Sequence, residues 1–126
     1  MATAAATKAD FAANQDKAAE CYKKMLAKDA NNYDANFMLG ILCYDKAEIV
    51  QIEKDNIYVS EDKDGSQAAA KDKEIHSYWK ASCEWFEKAH KANPKETNPL
   101  QNLKMLYYKL GDTANNARVK EILDNM

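Results

Sequence analysis

Glycine and proline are nearly missing from this chain, with three and two among 126 residues. So few breakers leave room for few turns, which argues for long helices and against a many-stranded sandwich. No apolar run approaches the roughly 18 residues that a membrane-spanning helix needs. No block of one charge sign exists either. The formal net charge is −2, with acids and bases mixed along the chain. Without a basic cluster, many phosphates cannot be neutralised at once, and a nucleic-acid partner is not expected. Cysteine is sparse and oddly counted: Cys21, Cys43 and Cys83, far apart and in no Cys-x-x-Cys pair. These read as buried free thiols filling small core positions rather than a disulfide framework. Thiols used this way favour a reducing compartment, and so the cytoplasm over the periplasm, without assigning the location. The segment Met1–Ala9 is rich in Ala and Thr and lacks the apolar stretch of a signal peptide. A periplasmic location would require a leader removed beforehand.

Catalytic signatures are also missing. There is no Gly-x-Ser-x-Gly, no phosphate-cradling Gly loop and no His-Glu-x-x-His. His76, Cys83 and His90 lie seven apart on one helical face. Seven residues rise roughly 10.5 Å, so three such ligands span roughly 21 Å and cannot share one ion. Asp62-Lys63-Asp64-Gly65 lacks the longer loop, ending in Glu, of a calcium site. Asp45, Glu48, Glu53, Asp55, Glu61, Asp62 and Asp64 read as a solvated acidic face. The expectation is a protein that is not an enzyme and holds no cofactor or metal.

What the chain does have is helical periodicity throughout. Apolar residues make up 46% and charged residues 30%, ordinary for one globular domain of this length. A first helix is expected over Asp10–Lys28, with Phe11, Ala18, Cys21, Tyr22, Met25 and Leu26 as its apolar stripe. Whether Ala2–Ala13 forms a separate helix or a frayed tail is open from the pattern. A second helix is expected from Tyr33 to about Asp55, with Gly40 inside it. Glycine there costs about 1 kcal/mol relative to alanine, which is tolerated where another helix must come close. Asn56–Ser66 is an irregular tip, with Ser66 expected to cap the next helix. A third helix follows to Ala92, burying Ile75, Tyr78, Trp79, Ser82, Phe86 and Ala89. Asn93-Pro94 stops it. A fourth helix, capped by Thr97 or Asn98 with Pro99 in its first turn, buries Leu100, Leu103, Tyr107 and Leu110 and closes at Gly111. A last helix, from about Ala114 to Asn125, is expected to bury Ala117, Val119, Ile122 and Leu123.

These helices carry an internal repeat. Residues 15–46 recur in outline 64 residues later: Ala18, Tyr22 and Ala30 align with Ser82, Phe86 and Pro94, and Leu39, Leu42 and Tyr44 with Leu103, Leu106 and Tyr108. Two stretches carry a resemblance. Asn36-Phe37-Met38-Leu39-Gly40-Ile41-Leu42-Cys43-Tyr44 is similar to the first-helix signature of the tetratricopeptide repeat. Trp79, Ser82, Phe86, Ala89 and Pro94 resemble its second helix, and Leu103, Tyr107, Tyr108, Leu110, Gly111 and Asp112 a further first helix and turn. The pattern departs from the family at Cys43, Lys104 and Ala30. The 64-residue offset is one repeat of about 34 residues plus an insertion of about 30 that lengthens the middle hairpin, as in a group of bacterial members of the family.

The resemblance implies an all-α fold: a right-handed tetratricopeptide-like superhelix of five or six antiparallel helices with one elongated hairpin. Residues 10–126 would form it, with 1–9 a flexible tail or the remnant of a preceding repeat helix. The chain would be the C-terminal piece of a longer array. The resemblance also implies a concave groove lined by first helices. Its candidates are Phe37, Met38, Ile41 and Tyr44 on the second helix, and Gln101, Asn102, Met105 and Tyr108 on the fourth. Such an apolar, Met-containing groove suits a peptide or helix of a protein partner. Self-association into a homodimer is the alternative, and a small-molecule or metal-binding helical protein the third reading.

Overall fold

A computed structural model describes residues 4–126, with side chains from residue 11 onward. Five α-helices follow in order: α1 (Ala4–Lys28), α2 (Tyr33–Asp55), α3 (Ser66–Ala92), α4 (Asn98–Leu110) and α5 (Thr113–Asp124). A single 3₁₀ turn, Val59–Glu61, interrupts the tip between α2 and α3, and no strand occurs among the described residues. The protein is all-α. Packing runs between sequence neighbours: α1 on α2, α2 on α3, α3 on α4 and α4 on α5. The segment 1–9, expected as a tail or helix remnant, is helical from Ala4 onward. Residues 1–3 lie outside the described part.

Capping side chains fix where the helices begin. Asn32 accepts the Ala35 amide through its side chain at 2.9 Å and starts α2. Buried Asn36 then donates back to the carbonyls of Ala30 and Asn32, at 3.2 and 3.0 Å, and pins the α1–α2 turn. Ser66 does not cap α3. It is the first helical residue, and the two carboxylate oxygens of Asp62 accept the amides of Gln67 and Ala68 at 2.9 and 3.0 Å. The 3₁₀ turn and Gly65, at φ 72°, carry Asp62 over the helix end. Thr97 precedes α4 without a side-chain cap, leaving Pro99 in the first turn to set the start. Gly111, also at φ 72°, closes α4. The amide of Asp112 reaches back to the Tyr107 carbonyl at 2.9 Å, the hydrogen bond of a Schellman ending. The Asp112 side chain then caps α5 through the Asn115 amide at 3.1 Å.

The long α2–α3 hairpin is held by one close crossing and two ion pairs. At the crossing, an added Cβ on Gly40 would lie 2.7 Å from Cδ1 and Cε1 of Phe86. The Ser82 hydroxyl donates to the Gly40 carbonyl at 2.7 Å, and both Ser82 and Phe86 are buried. Toward the tip, Lys71 pairs with Glu53 and Lys54 with Asp72, each at 2.7 Å. Two apolar clusters fill the interior. Ala47, Val50 and Ile75 close the hairpin, with Tyr78 and Trp79 against them. Cys83, Phe86, Leu100, Leu103, Leu106, Tyr107 and Val119 join α3, α4 and α5.

The expected burial of the cysteines and of Ala117 is corrected. Cys21 is exposed and Cys43 half-buried, so only Cys83 is a buried thiol. On the apolar stripe of α1, Phe11 and Met25 are 45% and 40% exposed, and Ala18, Tyr22 and Leu26 are half-buried; the substantial packing of α1 among the described residues is against α2. Ala117 is exposed, while its neighbour Val119 supplies the fully buried contact of α5.

Candidate partner-binding surface

The eight candidate groove residues fall into four pairs separated by the repeat offset: Phe37 and Gln101, Met38 and Asn102, Ile41 and Met105, Tyr44 and Tyr108. Each pair occupies one register position on α2 and on α4. The two helices use that face differently.

On α2 the face turns inward. Phe37, Ile41 and Tyr44 are half-buried and pack against the cluster that contains the core of α4. Phe37 stacks on Tyr33 with ring centres 5.8 Å apart and meets Phe86, tilted, at 5.5 Å. The Lys109 ammonium lies over both Tyr44 and Trp79, at 5.5 and 5.3 Å from the ring centres. Burial, and then a hydrogen bond with Glu48, push the Tyr44 phenol above its ordinary value. Met38 is half-buried.

On α4 two of the four positions, Gln101 and Tyr108, face outward, while Asn102 is half-buried and Met105 packs on the same cluster. Leu100, Leu103 and Leu106 are fully buried and fix the helix by its opposite side. Tyr108 is 79% exposed and Gln101 is also exposed, with half-buried Met105 beside them. Together with Lys104, and with Asn116 and Lys120 of α5, these three line a cleft of about 320 Å³. Asn116 donates its amide to the Lys104 carbonyl at 2.8 Å and so ties α5 to the cleft floor. Asn102 donates its amide to Asn98 of its own helix at 3.0 Å. The cleft is thus apolar at its centre, with amide and ammonium groups at its rim. That combination suits an apolar anchor flanked by carbonyls or carboxylates.

A second cleft, of about 690 Å³, lies where α3 meets the α4–α5 corner, and Cys83, Glu87, Tyr107 and Asp112 are among its walls. The Glu87 carboxylate accepts from the Tyr107 hydroxyl at 2.8 Å and from the Arg118 guanidinium, so one acid on α3 holds α4 and α5 together. Burial first, then the Glu87 charge, push the Cys83 thiol up to about 12. It therefore stays protonated near neutrality and offers no thiolate. Burial first, then the hydrogen bond with Glu87 and its charge, raise the Tyr107 phenol. Sequence reasoning placed Tyr107 in the core but missed this three-helix link, since Glu87, Tyr107 and Arg118 share no spacing rule.

Among the described residues, no three His, Cys, Asp or Glu side chains gather closely enough to hold a metal ion. His76 instead sits 5.4 Å from the Trp79 ring. The acidic residues near the tip have structural uses: Glu53 pairs with Lys71, Asp62 caps α3, and Asp64 accepts the Ser66 amide. No helix is long and apolar enough to cross a membrane among the described residues. No family model, curated protein or solved structure matches the chain.

Proposed function

We propose that this protein is an interaction scaffold of tetratricopeptide type, and that it binds a peptide or helix of a protein partner along the face shared by α2 and α4. In this reading the helices form a right-handed stack, and Phe37, Met38, Ile41 and Tyr44 make the inner wall of the groove. Gln101, Asn102, Met105 and Tyr108 make its open end. One observation carries the reading: Tyr108 is 79% exposed on α4 at the register where Tyr44 is half-buried on α2, and half-buried Met105 lies beside it. An aromatic anchor on a rigid helix loses little conformational freedom on binding, which keeps the ordering cost low.

Display of a random peptide library against the whole protein tests this. Selected peptides should lose at least about tenfold in affinity for Tyr108→Ala and Met105→Ala. They should bind a Tyr58→Ala control unchanged. Selected peptides that ignore both α4 substitutions would remove the basis of the proposal. The alternative, self-association, draws on the tip, where Ile52, Tyr58 and Val59 are all exposed apolar residues. Light scattering over a concentration series separates the two, since only self-association makes the mass rise with protein concentration.

A further inference from the structure

The repeat offset also relates α1 to α3, and it gives α1 two stripes of known purpose. On α3, Ile75, Ser82 and Phe86 meet the preceding helix α2. Cys83 and Phe86 meet the following helix α4, and Trp79 packs beside them. Sixty-four residues earlier, the second stripe reads Gln15, Ala19 and Tyr22. These are among the least exposed residues of α1, and they face its following helix, α2. The first stripe reads Phe11, Ala18 and Tyr22, and continues to Met25 where α3 has fully buried Ala89. Ile75 is 1% exposed, whereas its counterpart Phe11 is 45% exposed. The face that on α3 is covered by a preceding helix is therefore exposed on α1 at both ends, Phe11 and Met25, with half-buried Ala18 and Tyr22 between them.

The charges say what kind of helix fits. At roughly 100° per residue, Lys17, Lys24 and Lys28 run along the outer edge of this stripe, and all three are exposed. From residue 11 to the end of α1 there are four lysines against two carboxylates. A second copy is a poor occupant. Two α1 faces laid together would oppose lysine edges, and the open cleft between α4 and α5 carries Lys104 and Lys120. The helix that covers the equivalent stripe on α3 has the opposite sign: α2 carries five carboxylates and two lysines.

We propose that the outer face of α1 is a docking site for an amphipathic, acidic-edged helix of a partner protein, which takes against α1 the place that α2 takes against α3. The docked helix presents a small residue where it crosses Ala18 and Tyr22, as α2 presents Gly40 to Ser82 and Phe86.

The probe is a labelled synthetic peptide of residues 33–55 carrying Cys43→Ser, titrated with the full chain by fluorescence anisotropy. Saturable binding is expected, weakened by at least about tenfold in Phe11→Ala/Met25→Ala and in Lys17→Glu/Lys24→Glu. These side chains are exposed, so circular dichroism should show helix content unchanged. A peptide with Gly40→Leu should bind at least about tenfold more weakly. Bound peptide should slow alkylation of exposed Cys21, and Met105→Ala should leave binding unchanged. No saturable binding, or equal binding to both α1 variants, overturns the proposal. So does protection of Cys21 that rises with protein concentration in the absence of peptide, which would make a second copy the occupant.

Discussion

Replacing Gly40 with alanine should destabilise the protein although it improves the helix. Alanine is favoured over glycine inside a helix by about 1 kcal/mol. At this crossing the added methyl would sit 2.7 Å from two ring carbons of Phe86 and 2.9 Å from a third. Carbon atoms pack at about 3.5–4.0 Å, so the ring or the helix must retreat by roughly 1 Å. Neither moves freely. Phe86 is 1% exposed and tilted against Phe37, and the Gly40 carbonyl is held by the Ser82 hydroxyl. Overpacking a filled core costs about 1–3 kcal/mol, and a ring enclosed on all sides belongs at the upper end. The net expectation is a loss of about 2 kcal/mol. Urea unfolding followed by circular dichroism reads it as a lower midpoint at unchanged slope. In a Phe86→Leu background the ring's far atom is gone and the branched side chain can rotate away. There the same substitution should become neutral or stabilise by up to about 1 kcal/mol. If Gly40→Ala matches or exceeds the parent in stability, or costs the same in both backgrounds, the close crossing is not what requires glycine.

Thiol labelling at neutral pH should rank the cysteines as Cys21 fastest, Cys43 slower and Cys83 slowest, following their exposure and the upward push on Cys43 and Cys83; rapid labelling of Cys83 in the folded protein would contradict its burial. The Asp112 carboxylate is held below its ordinary 3.8, first by its side-chain hydrogen bond with Asn115 and then by the Asn115 amide. A depressed carboxylate stabilises fully above the unfolded value, and the contribution fades as pH falls through the folded value. The difference in urea midpoint between the parent and Asp112→Ala should therefore be largest near neutrality and shrink on acidification below about pH 4; a difference that grows on acidification would contradict the cap.

Most helix limits were legible because their signals are local. Pro99, Gly111 and the Asn31-Asn32 turn act within a residue or two of where they stand. Gly40 was legible for another reason, as a locally unfavourable residue that only a close neighbour justifies. Ser66 misled because the atoms that cap α3 come from Asp62, which the tip folds back over the helix end. The apolar stripe of α1 was seen, but not that Phe11 and Met25 on it are exposed. Periodicity reports that a face is apolar, not that something covers it, and here the covering helix has no counterpart among the described residues. The candidate groove residues were read on one register of α2 and α4. That Tyr44 is half-buried on α2 while Tyr108 is exposed on α4 depends on which helix follows each, and that information lies in the three-dimensional order.

Because each helix leans mainly on its sequence neighbours, the molecule resembles a row rather than a ring. Among the described residues the substantial packing of α1 is on α2, so the amides of α1 should exchange before those of the α2–α3 pair, which stay shielded longest.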